Sequence, residues 1–123
     1  MTIGTAPEWL GSLFDAIDSK DTETFLEYLT DDAKFRFGSA PAVYGVETIR
    51  SAVDGFFDTI KGSSHALTNT LVSGSTLVCE GEVTYQRLNG SELTLPFVNV
   101  FELSGKLISH YKIYIDIAPL YAE

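Results

Sequence analysis

Residues 81–116 constrain this chain more than any other stretch. Three runs rich in β-branched and aromatic residues, 83–87, 93–103 and 107–117, are separated by Asn89-Gly90 and Ser104-Gly105. Such runs read as strands and such dipeptides as tight turns, so an antiparallel meander is predicted. A two-residue turn at Asn89-Gly90 would pair Tyr85 with Thr94 and set an apolar face against a polar one. A three-residue loop, Leu88-Asn89-Gly90 with Gly90 left-handed, pairs Tyr85 with Leu93 and Val83 with Leu95. The longer loop is preferred, because a slip of one residue would turn every side chain to the other face. The same reasoning at Leu103-Ser104-Gly105 sets Phe101 beside Leu107 and Asn99 beside Ser109.

The inward face then carries Val83, Tyr85, Leu93, Leu95, Phe97, Asn99, Phe101, Ser109, Tyr111, Ile113 and Ile115. His110, Lys112 and Asp116 point outward, and a register slip by one would instead bring His110 and Lys112 inside. Val98 and Val100 also lie outward. Apolar residues on that face suggest that a second subunit covers it.

Upstream, Thr5-Ala6-Pro7-Glu8 reads as a helix start, with Thr5 as cap and Pro7 in the first turn. Trp9, Leu10, Leu13, Phe14 and Ile17 follow at helical spacing. Asp21 caps a second helix bearing Phe25, Leu26 and Leu29, which Asp31-Asp32 ends. Phe35 and Phe37 alternate with charged residues as a short strand. A third helix carries Val46, Ile49, Val53, Phe56 or Phe57, and Ile60, with Gly62 as its stop. Gly55 inside it implies close packing. Residues 65–72 and 75–87 are strands around a Ser73-Gly74 turn. Helices followed by mostly antiparallel strands define an α+β layout, with three N-terminal helices on the concave face of a cone-shaped, curved sheet. An apolar cavity at the wide end is the expected ligand site.

At 123 residues this is one domain, 1–123, long enough to bury a core without staples. The net charge of −9 argues against nucleic acid and anionic membranes as partners, since both require basic surface. No apolar run approaches a membrane span, and residues 1–7 lack the pattern of a signal peptide. Cys79 is the only cysteine, which excludes an intrachain disulfide and points to the cytoplasm. No metal or cofactor is expected, for no ligand spacing, phosphate loop or nucleophile elbow occurs.

Asn99 is the leading polar anchor. It reads either as a donor to a ligand carbonyl or developing oxyanion, or as a core amide satisfied by Ser109, Tyr85 or backbone. Tyr85 and Tyr111 read first as core side chains with hydrogen-bonded tips and second as cavity hydroxyls. His65 is a general base if it reaches the pocket, although its place as the first residue of a strand favours the surface. Asn69 shares its parity.

Several segments together resemble the SnoaL-like branch of the nuclear transport factor two-like superfamily. They are Trp9 with Phe14-Asp15-Ala16-Ile17-Asp18, Tyr28-Leu29-Thr30-Asp31-Asp32-Ala33, Tyr44-Gly45-Val46-Glu47-Thr48-Ile49, His65 with Asn69, Leu95-Pro96-Phe97, and Tyr114-Ile115-Asp116. The resemblance covers nearly the whole chain. It implies a cystatin-like cone, a deep pocket, a small hydrophobic molecule bearing a carbonyl or hydroxyl as ligand, and a homodimer through the sheet. Relatives include ketosteroid isomerases, polyketide cyclases, limonene epoxide hydrolases and scytalone dehydratase. Their usual acids are absent. The strand that carries the isomerase Asp reads Phe35-Arg36-Phe37, the oxyanion-hole Tyr falls at Leu13 or Phe14, the oxyanion-hole acid at Asn99, and the cyclase Asp at Ile113. The expected site therefore has Asn99, Tyr111 and His65 as reacting or donating groups. Trp9, Leu13, Phe14, Phe37, Tyr85, Phe97, Phe101 and Ile113 would line it. Isomerase, cyclase or dehydratase activity stands beside a non-catalytic binding or interaction module as the alternative.

Overall fold

The computed structural model describes residues 2–3 and 6–122. In chain order the elements are β1 (Thr2–Ile3), α1 (Glu8–Asp18), α2 (Thr22–Leu26), β2 (Leu29–Phe37), β3 (Val43–Tyr44), α3 (Val46–Phe57), β4 (Ile60–Ser73), β5 (Thr76–Arg87), β6 (Glu92–Ser104), β7 (Leu107–Tyr114) and α4 (Ala118–Tyr121). The strands form one curved, unclosed sheet in the order β1-β4-β5-β6-β7-β2-β3. Every neighbouring pair is antiparallel except β2 and β7. This is the expected α+β architecture, with α4 as a short additional helix.

α1 buries Leu10, Leu13 and Phe14 at helical spacing against the sheet. The expected cap, Thr5, lies outside the described residues, and Pro7 stands at the N-cap position. Asp21 caps α2 as expected. Its carboxylate accepts from the Thr24 amide at 3.2 Å and the Thr24 hydroxyl at 2.7 Å, which holds it below the usual carboxylate range.

Three boundaries differ from the sequence reading. Leu29 opens β2 rather than closing a helix, and Asp31 and Asp32 are exposed on that strand. α3 stops at Phe57, and Ile60 begins β4 opposite Arg87. Gly62 is thus a strand residue. A spacing of three or four from Phe56 and Phe57 fits the next helical turn, but it equally fits the first inward residue of a strand. A Cβ at Gly55 would meet nothing within 4 Å, so that glycine is not a close-packing site.

The first hairpin has the preferred register, with Tyr85 opposite Leu93, Val83 opposite Leu95 and Gly90 at φ 89°. The second does not. Ser104 pairs with Leu107 across a two-residue turn, and Ser109 is then an extra residue between the Leu103–Ile108 and Glu102–His110 pairs. This bulge turns Ile108 inward and moves Ser109 to the Glu102 carbonyl, to which its hydroxyl donates at 3.1 Å. Asn99 consequently faces Ile113, not Ser109. Beyond the bulge the expected alternation is restored, so Tyr111 is buried and His110 exposed.

A second bulge, at Thr68, lies between the Leu67–Gly81 and Asn69–Glu80 pairs. There β4 crosses so close to β5 that a Cβ on Gly81 would overlap the Ala66 carbonyl oxygen. Bulges bend strands and increase their twist, which is how this sheet curves around the helices.

Candidate functional site

The concave face of the sheet, α1 and α3 enclose a cavity of about 230 Å³. Strand alternation brings Val83, Tyr85, Phe97, Asn99, Tyr111 and Ile113 to its sheet wall, while Phe14 and Ile17 of α1 and Val53 and Phe56 of α3 face them. Phe37 and His65 also line it. Three expected lining residues do not. Leu13 and Phe101 are fully buried in the core, and Trp9 packs at 6.5 Å from Tyr28 and 6.3 Å from Phe101. Phe101 in turn packs with its ring centroid 4.5 Å from that of Tyr111, which does line the cavity. Lining residues that the sequence reading left out include Phe25, Phe35, Val53, Phe56 and Ser63.

One side of the cavity holds a dyad. Asp18, the last residue of α1, accepts from His65 Nδ1 at 2.6 Å and from the Ser63 hydroxyl at 2.8 Å, both on Oδ1. Its other oxygen accepts from the His65 backbone amide at 3.0 Å. One carboxylate thus grips both ends of one residue. Burial raises the Asp18 carboxyl, but the hydrogen bonds and charge of His65, aided by Ser63, outweigh it and hold the group below the usual range. A carboxylate only accepts, so Nδ1 carries the proton of this bond, and the tautomer that can take a further proton presents Nε2 as its acceptor. The ring is fixed by Phe14 at 4.7 Å and by an edge-on contact with Phe97 at 5.3 Å. His65 is therefore a cavity residue and not the surface residue its sequence position favoured. Asn69 is the opposite case. The Thr68 bulge turns it out, and it donates to Glu80 at 2.5 Å.

The other polar group, Asn99, is 2 % exposed, and its side-chain oxygen has no partner among the described residues. The predicted satisfaction by Ser109 fails because the two-residue turn, with the bulge, sets Ile113 rather than Ser109 opposite Asn99. An orphaned buried acceptor costs about 1–3 kcal/mol, so the position is held against a stability penalty. Burial pushes the Tyr111 and Tyr85 hydroxyls well above the ordinary tyrosine range, and both remain neutral donors. Burial likewise pushes the Cys79 thiol, across the ladder from Asn99, to about 12, which leaves it inert. Among the described residues no three His, Cys, Asp or Glu side chains are grouped to hold a metal, and no helix is long and apolar enough to cross a membrane.

A curved antiparallel sheet closed over by helices around an apolar, sparsely polar cavity defines a cystatin-like α+β pocket protein. Within that class the chain belongs to the SnoaL-like domain family, whose model matches residues 11–111. Solved structures agree at the level of the fold. A protein with a ketosteroid isomerase-like fold from Catenulispora acidiphila, in complex with trimethylamine, superposes with a TM-score of 0.85 at 14% identity, covering 94% of this chain and 91% of that one. A protein described as a SnoaL-like polyketide cyclase from Jannaschia sp. gives 0.79 at 19%, covering 96% and 94%. An LEH-like epoxide hydrolase from M. tuberculosis gives 0.75 at 14%, covering 91% and 83%. No curated protein matches the chain in sequence.

Proposed function

We propose that the cavity binds a small hydrophobic molecule bearing a carbonyl or hydroxyl and moves a proton on it, as an isomerase, cyclase or dehydratase does. The His65–Asp18 pair carries this reading, with Nδ1 held 2.6 Å from the carboxylate and Nε2 left free at a cavity wall. Nε2 takes a proton from the carbon beside the carbonyl, the C–H electron pair forms a carbon–carbon double bond, and the C=O π pair moves onto the oxygen. Asp18 stabilises the imidazolium that forms. Neutral donors, the Asn99 amide and the Tyr85 or Tyr111 hydroxyl, stabilise the oxyanion. Return of the proton to another carbon completes an isomerisation. Half-buried Val98 and Val100 with exposed Tyr114 on the outer face support a homodimer through the sheet. The buried thiol of Cys79 supports a cytoplasmic protein.

The test is deuterium exchange at the α-carbon of a simple aryl ketone in D₂O. A positioned base contributes about 10²–10⁴-fold, so His65→Gln should lose at least a hundredfold of the exchange while keeping its circular dichroism. Equal exchange in both proteins would end the base assignment. The cavity lining contains no Asp, Glu, Lys or Arg, which favours a pure binder as the second reading. Ketone binding without exchange in wild type selects it.

A further inference from the structure

Size and charge together narrow what this site accepts. A cavity of about 150 Å³ lined by apolar side chains holds benzene, and drug-sized ligands occupy about 300–1,000 Å³. At about 230 Å³ the space here lies between those limits. Scaled from benzene, it takes about nine non-hydrogen atoms, which is one ring with a short polar substituent. A steroid or a tetracyclic polyketide has about twice that number or more, and does not fit between Phe14 on α1, Val53 and Phe56 on α3, and the sheet wall.

The walls select for shape and charge as well. Aromatic rings meet edge to face around the space, as Phe25 does with Phe35 at 88° and Phe56 with Tyr85 at 77°. Such walls present both ring faces and ring edges, the surfaces that a flat aromatic guest complements. No guanidinium or ammonium lines the cavity, and the carboxylate behind His65 repels anions. A ligand carboxylate or phosphate would therefore be desolvated with neutral donors but no opposite charge beside it, which is unfavourable.

We infer that the physiological ligand is a neutral single-ring aromatic or similarly compact cyclic ketone or phenol, not a steroid, a polycyclic polyketide or an organic acid. The Asn99 side-chain NH₂ donates to a ketone oxygen, its unpartnered oxygen accepts from a phenol hydroxyl, and the hydrophobic contacts supply most of the affinity. This inference rests on the cavity being the ligand site, and it specifies the substrate class of that site.

The test measures dissociation constants by calorimetry for acetophenone, 1-tetralone, benzoate and androstenedione against the wild-type protein and Asn99→Leu. Acetophenone should bind best, tetralone comparably or somewhat more weakly, and benzoate and androstenedione at least tenfold more weakly. Asn99→Leu should weaken acetophenone several-fold. Androstenedione or benzoate binding as tightly as acetophenone would overturn the size or the charge argument, and so would no binding of acetophenone and tetralone. These outcomes are independent of the deuterium exchange. Undiminished exchange in His65→Gln sinks the base with the affinity order intact, and a tight steroid complex sinks the size limit with the base intact.

Discussion

The two polar ends of the cavity are built on opposite principles. At one end His65 and Asp18 are paired, and between them Asp18 accepts three hydrogen bonds from Ser63 and His65. At the other, Asn99 is buried with an unpartnered oxygen, with Tyr111, which stays neutral, on the neighbouring strand. The first end is satisfied before a ligand arrives and has only Nε2 to offer. The second is incomplete, and a ligand that completes it gains what the empty protein lacks. A site with one satisfied and one unsatisfied end can position a neutral molecule by hydrogen bonding and then act on it with a base of fixed orientation.

The largest effect should come from breaking the joint between the two ends. Gly81 is where β4, carrying His65, crosses closest to β5, and Gly81→Ala forces a Cβ into the Ala66 carbonyl. Overpacking of this kind costs about 3 kcal/mol, so urea denaturation should show a clearly lowered midpoint, and an unchanged midpoint would mean that the crossing is not tight.

Next comes the satisfied end. Asp18→Asn removes charged hydrogen bonds worth about 2 kcal/mol near neutrality. The folded carboxyl lies below its ordinary 3.8, so its contribution is complete above that value and is lost as pH falls through the lower, folded value. The gap in stability between wild type and Asp18→Asn should therefore narrow as acid is added below about pH 4, measured by denaturation at several pH values. A gap independent of pH would refute the carboxylate of Asp18 as the acceptor of these bonds.

The smallest effect has the opposite sign. Asn99→Leu removes an orphaned acceptor from an apolar wall, and should raise stability by about 1 kcal/mol in the absence of ligand. A loss of stability would show that Asn99 is satisfied after all, and would remove the contrast between the two ends.

The same contrast separates what could be read from the sequence from what could not. Asn99, Tyr85, Phe97 and Tyr111 were legible because strand alternation assigns a face residue by residue, and Gly90 anchors the first register. The dyad was not, because it joins elements 47 residues apart, and no local pattern reports that meeting. Two partial signals existed. Asp18 follows Phe14 by one helical turn on the same face of α1. Ser63, His65 and Leu67 alternate with exposed Ser64, Ala66 and Thr68, a period-two pattern visible only once the strand is begun at Ile60. The misplaced end of α3 hid it. Trp9, Leu13 and Phe101 were misassigned to the cavity for a related reason. Helical spacing on α1 and alternation on β6 give the buried face of an element but not which of its buried residues reach the cavity.

The bulges at Thr68 and Ser109 have a consequence for comparing this protein with its relatives. Each extra residue reverses the phase of its strand, so that Asn69 turns out to the surface and Ile108 turns into the core. When relatives are aligned by position, a column is a fixed direction in space only between one bulge and the next. A relative that loses or shifts either insertion carries the same letters with inside and outside exchanged. Its acids then have to be counted from its own bulges before their absence, or presence, at a position such as Ile113 says anything about chemistry.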